Sequence, residues 1–304
     1  MRWLFFFLLA PSLLSGQTLY FKGLDRSYTL HIPKNYTKTK PVPLVIVLHG
    51  GGGNAQRMGA FSGFDKLADR DTFIAVYPQA WKKHWNDGRD MKKFDSQRDS
   101  IDDVGFISAL IDTLEKHYRI VQKRIYVTGL SNGGMMSYRL GCELSDRIAA
   151  IAPVIANMPV QLMEQCKPTL PLPVLIMNGT ADPLMPWEGG QVHFGKQELG
   201  AVVSTYTSFQ FWWKNNHCLF DLGSTQVPDP TLFKPLPDAD PTDGCTASEI
   251  TYACNAHTEV VLYKIEDGGH NMPGCKQYLP RSMIGKTCQD FNGAEVIWSF
   301  FKTH

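Results

Sequence analysis

The chain has 304 residues, 43% hydrophobic, 12% aromatic and 19% charged, which is enough apolar material for a large core and excludes a globally disordered chain. Thirty Lys plus Arg stand against twenty-nine Asp plus Glu, so the balance gives no reason to expect nucleic acid or another polyphosphate as a partner.

The first sixteen residues, MRWLFFFLLAPSLLSG, set Arg2 before an apolar stretch from Trp3 to Ala10 and finish on the small residues Ser15 and Gly16. That layout is a signal peptide's, and the stretch is shorter than the ~20 apolar residues of a membrane span. The expectation is a secreted or periplasmic protein, residues 17–304, with no membrane insertion after signal removal.

SYTLHIP then alternates as an early strand should, and PLVIVLHG is a continuous apolar run ending in glycines, the pattern of a buried central strand. FIAVYP repeats it. In DDVGFISALIDTLEKHY, Val104, Ile107, Leu110, Ile111, Leu114 and Tyr118 share one helical face, with Asp102 and Asp103 placed to cap the helix. RIYVTGLS, AAIAPVIA, PVLIMNGT and EVVLYKIED continue the strands, with helical segments such as NGGMMSYRLGCEL and AEVIWSFF between or after them. This alternation predicts an α/β fold, a mostly parallel central sheet with helices on both faces, in a single domain over 17–304. One stretch breaks the pattern. Residues 222–245 are too dense in proline and aspartate for a helix or a central strand, and read as an inserted surface loop.

Export gives meaning to seven cysteines, since disulfides persist in oxidising compartments. At least one stays unpaired within a monomer. The expected pairs are Cys275 with Cys288, which flank a short irregular segment, Cys142 with Cys166, and Cys218 with Cys254. Zinc is disfavoured because no CxxC pair or HExxH helix is present, and no metal or other cofactor is expected.

The chemistry starts at Gly129-Leu130-Ser131-Asn132-Gly133, between a strand pattern and a helix pattern. A GxSxG at such a junction is the nucleophile elbow, where a sharp turn exposes a serine, the flanking glycines avoid collision, and the helix N-terminus favours developing negative charge. Serine needs a base and a group to orient that base. Asp182 follows the strand VLIMNG, and His270 follows VVLYKIED and two glycines, giving the order Ser, Asp, His. An oxyanion hole needs backbone N–H groups that approach the substrate closely, and HGGGGN at 49–54 follows the strand PLVIVL. The expected donors are Asn132 with Gly51 or Gly52. Candidate substrate contacts are His49, Trp85 and Trp187, the last sharing a loop with Asp182. Trp212 and Trp213 read as core.

HGGGGNA, WNDGR at 85–89, DDVGF at 102–106, GLSNGG, NGTADPLMP and DGGHNMPG together resemble the secreted polyhydroxybutyrate depolymerase and feruloyl esterase group of α/β-hydrolases, over nearly all of the chain beyond the signal. The resemblance implies an α/β-hydrolase fold, with Ser131, Asp182 and His270 as triad. Two positions depart from it: Asn178, where a His often precedes Gly-Thr, and Met272, where an aromatic is common. The expected activity is hydrolysis of small or oligomeric esters through an acyl-enzyme, on feruloyl (hydroxycinnamoyl) or hydroxyalkanoate substrates. The alternatives are acetyl removal from a polysaccharide of the acetylxylan type, or an exported binding module whose activity is lost.

Overall fold

The computed structural model describes residues 16–218, 228–255 and 258–304. Residues 1–15 of the expected signal and 222–227 of the expected loop lie outside these. Among the described residues, ten strands make one sheet in the order β1 (Gln17–Phe21), β2 (Leu24–His31), β4 (Ile74–Pro78), β3 (Val42–Leu48), β5 (Ile120–Leu130), β6 (Ala150–Val154), β7 (Val174–Gly179), β12 (Glu259–Glu266), β11 (Thr246–Ala253) and β10 (Lys234–Pro235). The six from β4 to β12 in that order run parallel, while both flanks pair antiparallel. A separate hairpin joins β8 (Gly190–Phe194) to β9 (Gln197–Val202).

The central strands β3, β4, β6 and β7 are buried at every position because both faces are covered. Val42, Leu44, Ile46 and Leu48 face one core, shared with α4 (Asp103–His117), α5 (Asn132–Glu143) and α7 (Thr205–Asn215). Val45 and Val47 face the other, shared with α1 (Ala55–Ser62), α2 (Phe64–Asp71) and α9 (Gly293–Lys302). The short helices α3 (Asp95–Arg98), α6 (Val160–Gln165) and α8 (Arg281–Ile284) sit in connections. This is an α/β fold of the α/β-hydrolase type.

Three expectations meet their particulars here. Asp102 caps α4, its carboxylate accepting the Gly105 N–H at 2.7 Å, whereas Asp103 is buried and paired with Arg26 at 2.6 Å. Trp212 and Trp213 are core residues. The Pro-rich stretch is not all loop: Lys234 and Pro235 form a two-residue strand against Glu249 and Ser248. A proline is tolerated there because the strand lies at the sheet edge.

Strand order sets the place of a site. The chain goes from β3 to β4 on one side and returns to β5 on the other, so the crevice beyond the carboxyl ends of β3 and β5 is a topological switch point, where ligands bind in open α/β sheets. The glycine loop leaves β3 there, and Ser131 leaves β5.

Candidate active site

Ser131 has φ 54° and ψ −116°, backbone strain for a residue with a Cβ. Two glycines make the turn possible. A Cβ on Gly133 would come within 2.5 Å of the Leu48 carbonyl oxygen, and one on Gly129 would collide with the backbone of Gly133. Ser131 is the N-cap of α5, yet its hydroxyl makes no capping bond, unlike Ser204 at the start of α7, which accepts the Thr207 N–H. The Ser131 Oγ is thus a cap group left free for other work.

Two strands along, Asp182 follows β7, and on the neighbouring strand His270 follows β12. His270 Nδ1 and Asp182 Oδ2 lie 2.6 Å apart, and both side chains are almost wholly buried. The second carboxylate oxygen, Oδ1, accepts the N–H groups of Leu184 and Met185, each at 2.8 Å, which fixes the carboxylate plane. The His270 backbone N–H donates to Ile284 at 2.5 Å, and Gly269 N–H to Lys286 at 2.8 Å. A side chain on Gly269 would strike the Ile284 carbonyl, so glycine serves close approach here. Ser131, Asp182 and His270 all stand at the carboxyl edge of parallel strands. Ser131 itself makes no hydrogen bond through its Oγ with any described residue.

The expected hole divides unevenly. Asn132 is the first residue of α5, so its N–H has no intrahelical acceptor. Its side chain is fully engaged: Oδ1 accepts Trp85 N–H at 2.8 Å, and Nδ2 donates to the Trp85 carbonyl at 3.2 Å and to Asp87 Oδ2 at 2.5 Å. Gly52 is corrected, because its N–H is spent on the Lys83 carbonyl at 2.9 Å. Gly51 remains the candidate donor, wedged between the His84 ring and Asn132.

Two of the three expected substrate contacts are corrected as well. Trp85 is fully buried, its indole N–H given to the His49 carbonyl at 2.9 Å. His49 is buried; Nε2 accepts Ala80 N–H at 3.1 Å, which leaves Nδ1 to donate to the Gly50 carbonyl at 2.7 Å. Burial pushes this imidazole down to about 4. Both residues buttress the glycine loop and present no surface to a substrate. Trp187 does line a cleft of about 420 Å³ together with Asp182, Pro186, Glu188 and Lys264, although its ring is mostly buried against Tyr206.

The structure adds residues that the sequence did not single out. Asp87 is fully buried and gathers Arg89, Gln97 and Asn132, making WNDGR a support for the start of α5. Tyr278 is 46% exposed, stands edge-on to Phe61 of α1 with ring centres 5.8 Å apart, and donates its hydroxyl to the His270 carbonyl at 3.1 Å. Their signal, two lone aromatics, is too common to find in a sequence. The two departures from the family pattern are both interior: Asn178 bonds Ala156, Asn157 and Thr205, and Met272 is buried in the core.

Cys142–Cys166 and Cys218–Cys254 are bonded as expected. Cys275–Cys288 is not. The backbones meet, Gly274 N–H donating to the Cys288 carbonyl at 2.9 Å, but Cys275 Sγ turns to the Phe61 carbonyl at 3.3 Å. Among the described residues, Asp243, Cys288 and Asp290 come close enough to be considered as metal ligands. Their carboxylate oxygens already accept Cys245 N–H, Gln289 N–H, Ala239 N–H and the Cys288 thiol, which makes the group a knot tying loops together.

Residues 26–156 match the family described as Esterase PHB depolymerase. The chain is 28% identical over 285 residues to NocK of Nocardia uniformis subsp. tsuyamanensis, covering 91% of this chain and 79% of that protein. It is 28% identical over 251 residues to feruloyl esterase B of Piromyces equi, covering 81% of this chain but 42% of the relative. Among solved structures, the acetyl xylan esterase from Aspergillus awamori superposes over 95% of this chain and 100% of its own, with TM-score 0.57 and 11% identity, a likeness of fold.

Proposed function

We propose that this chain, a carboxylic ester hydrolase of the polyhydroxybutyrate depolymerase and feruloyl esterase group, works through an acyl-enzyme on Ser131, with His270 as base and Asp182 as the residue that orients it. The observation that carries the reading is the buried 2.6 Å contact of His270 Nδ1 with Asp182 Oδ2, on the same sheet edge as a strained, uncapped serine. With Nδ1–H held by the carboxylate, Nε2 is the nitrogen left to take the serine proton. The contact with Ser131 Oγ forms when substrate docks, as catalytic hydrogen bonds commonly tighten only in the complex.

In this scheme Ser131 Oγ attacks the ester carbonyl while His270 accepts its proton. The N–H groups of Asn132 and Gly51 receive the developing oxyanion, assisted by the N-terminus of α5. Collapse expels the alcohol, which takes the proton from His270. Water then attacks the acyl-enzyme through the same imidazole, and the acid leaves.

The substrate proposed is a feruloyl (hydroxycinnamoyl) ester. Its support is the Phe61–Tyr278 pair, which joins the helix after the glycine loop to the loop of His270 and leaves an aromatic face exposed. Export of residues 17–304 after cleavage of the leader is part of the same reading. The two disulfides favour an oxidising compartment, and no helix of the described residues is long and apolar enough to cross a membrane.

The test is pre-steady-state release of p-nitrophenol from its acetate ester. A burst stoichiometric with enzyme, absent in Ser131→Ala with unchanged circular dichroism, is expected; full turnover by that variant would sink the assignment. Rates on methyl ferulate, hydroxybutyrate oligomers and acetylated xylan then fix the acid, with methyl ferulate expected fastest.

A further inference from the structure

Three cysteines lie outside the two bridges, and two of them, Cys245 and Cys288, flank one carboxylate, Asp243. Cys288 Sγ lies within 4.8 Å of a carboxylate oxygen of Asp243, the residue that also accepts the Cys245 N–H, while the Cys288 thiol rests on Asp290 Oδ2 at 3.5 Å and the Cys245 thiol on the Asp267 carbonyl at 3.8 Å. Both residues are buried in the core beneath α9. Their segments are already fastened without any covalent link: one oxygen of Asp243 accepts the Cys245 N–H at 2.6 Å and the other the Gln289 N–H at 2.5 Å, while Lys286 Nζ donates to the Gly244 carbonyl at 2.6 Å. Two cysteines whose segments are held together by so many bonds lose little further freedom on joining, and a buried bond between them is shielded from reductants.

We propose that Cys245 and Cys288 form a third disulfide in the exported protein, leaving Cys275 as the single free thiol. The oxidant is of the disulfide class, a small-molecule disulfide or the disulfide of a thiol oxidase. The thiolate of one cysteine attacks it, forming a mixed disulfide and expelling one oxidant thiolate. The thiolate of the other cysteine then displaces the second. Two protein thiols are oxidised with loss of two protons, and the oxidant disulfide is reduced to two thiols. Cys275 takes no part. It rests on the Phe61 carbonyl, and burial pushes its thiol up to about 11, which keeps it protonated.

The link has a functional address. Residues 284–286 carry the carbonyls that receive Gly269 and His270 N–H, so a bond at Cys288 clamps the strip on which the His270 loop rests. It closes a loop around β11, β12 and His270 itself, and joins the end of the Pro-rich stretch to that strip.

Peptide mapping of the full chain decides the matter. The protein, secreted from an oxidising host, is alkylated with iodoacetamide in guanidinium without reductant, digested and analysed by mass spectrometry. Expected are a Cys245–Cys288 linked peptide and alkylation at Cys275 alone. Alkylation of both Cys245 and Cys288, or a Cys275–Cys288 peptide, would overturn the proposal. Cys275→Ser should keep the link. Cys245→Ser/Cys288→Ser, if it folds, should melt roughly 5–10 °C lower. If it does not fold, the map of the unaltered chain still gives the answer.

Discussion

Asn132 and Trp85 exchange two hydrogen bonds as two paired strands would, Trp85 N–H to Asn132 Oδ1 at 2.8 Å and Asn132 Nδ2 to the Trp85 carbonyl at 3.2 Å. A side chain here imitates backbone. It locks the first residue of α5 to the WNDGR segment, and so aims the N–H that the proposed mechanism uses against the oxyanion. Asn132→Ala should fold but lose that aim. Expected is a drop in kcat of roughly 10- to 100-fold with KM nearly unchanged, since misplacing a catalytic group by about 1 Å can cost 10²-fold. Steady-state kinetics on p-nitrophenyl acetate checks it; a change confined to KM would contradict the role.

The strain at Ser131 predicts a trade between activity and stability. A residue with a Cβ at φ 54° and ψ −116° stores about 1–3 kcal/mol, and glycine relieves it. Ser131→Gly should therefore be inactive yet more stable than the parent, by about 1 kcal/mol in urea unfolding. The added entropy of a glycine in the unfolded chain offsets part of the gain. Ser131→Ala should show no such gain.

The aromatic pair predicts a split between substrates. Tyr278→Ala removes an exposed ring that leans on Phe61, so KM for methyl ferulate should rise several-fold while p-nitrophenyl acetate is affected much less. Tyr278→Phe keeps the ring and loses only the bond to the His270 carbonyl. It should preserve the preference for ferulate. Equal losses on both esters in Tyr278→Ala would mean that the ring merely props the loop.

Acid sensitivity should trace to His49. Burial lowers its folded value from 6.5 to about 4, with the Gly50 carbonyl opposing and nearby His84 assisting. Below pH 6.5 the unfolded chain takes up a proton that the folded chain refuses until about pH 4. Stability is thus full above pH 6.5, falls between 6.5 and 4, and loses up to about 3 kcal/mol by the lower end. His49→Gln should be less stable at neutral pH but show a smaller decline across that window, read from urea midpoints at pH 7.5 and 4.5.

Much of this architecture is written locally. β3, β4, β6 and β7 are buried at every position and almost wholly apolar, and apolar runs of that kind are legible one segment at a time. The positions of Ser131, Asp182 and His270 after such runs are legible for the same reason. What sequence could not carry is partnership at a distance. His49 and Trp85 have the side chains of a binding site, yet each spends its polar atoms on backbone inside the core. Gly52 is disqualified as a donor by one carbonyl from Lys83. Cys275 and Cys288 flank a short irregular segment and their backbones do meet, but side-chain direction parts them. The β8–β9 hairpin escaped notice because its strands are short and mostly exposed, leaving little hydrophobic alternation to read.

Asp182 and His270 are 88 residues apart in the chain, but they spring from strands that lie side by side. Between them the chain makes the hairpin, α7, the Pro-rich stretch and β11 before β12 enters the sheet beside β7. The hairpin, which lies outside the main sheet and begins past the two N–H groups that hold Asp182, can therefore be lengthened or trimmed without re-aiming imidazole or carboxylate. Such an arrangement lets evolution, or an engineer, redecorate the mouth of the enzyme while its chemistry stays where it is.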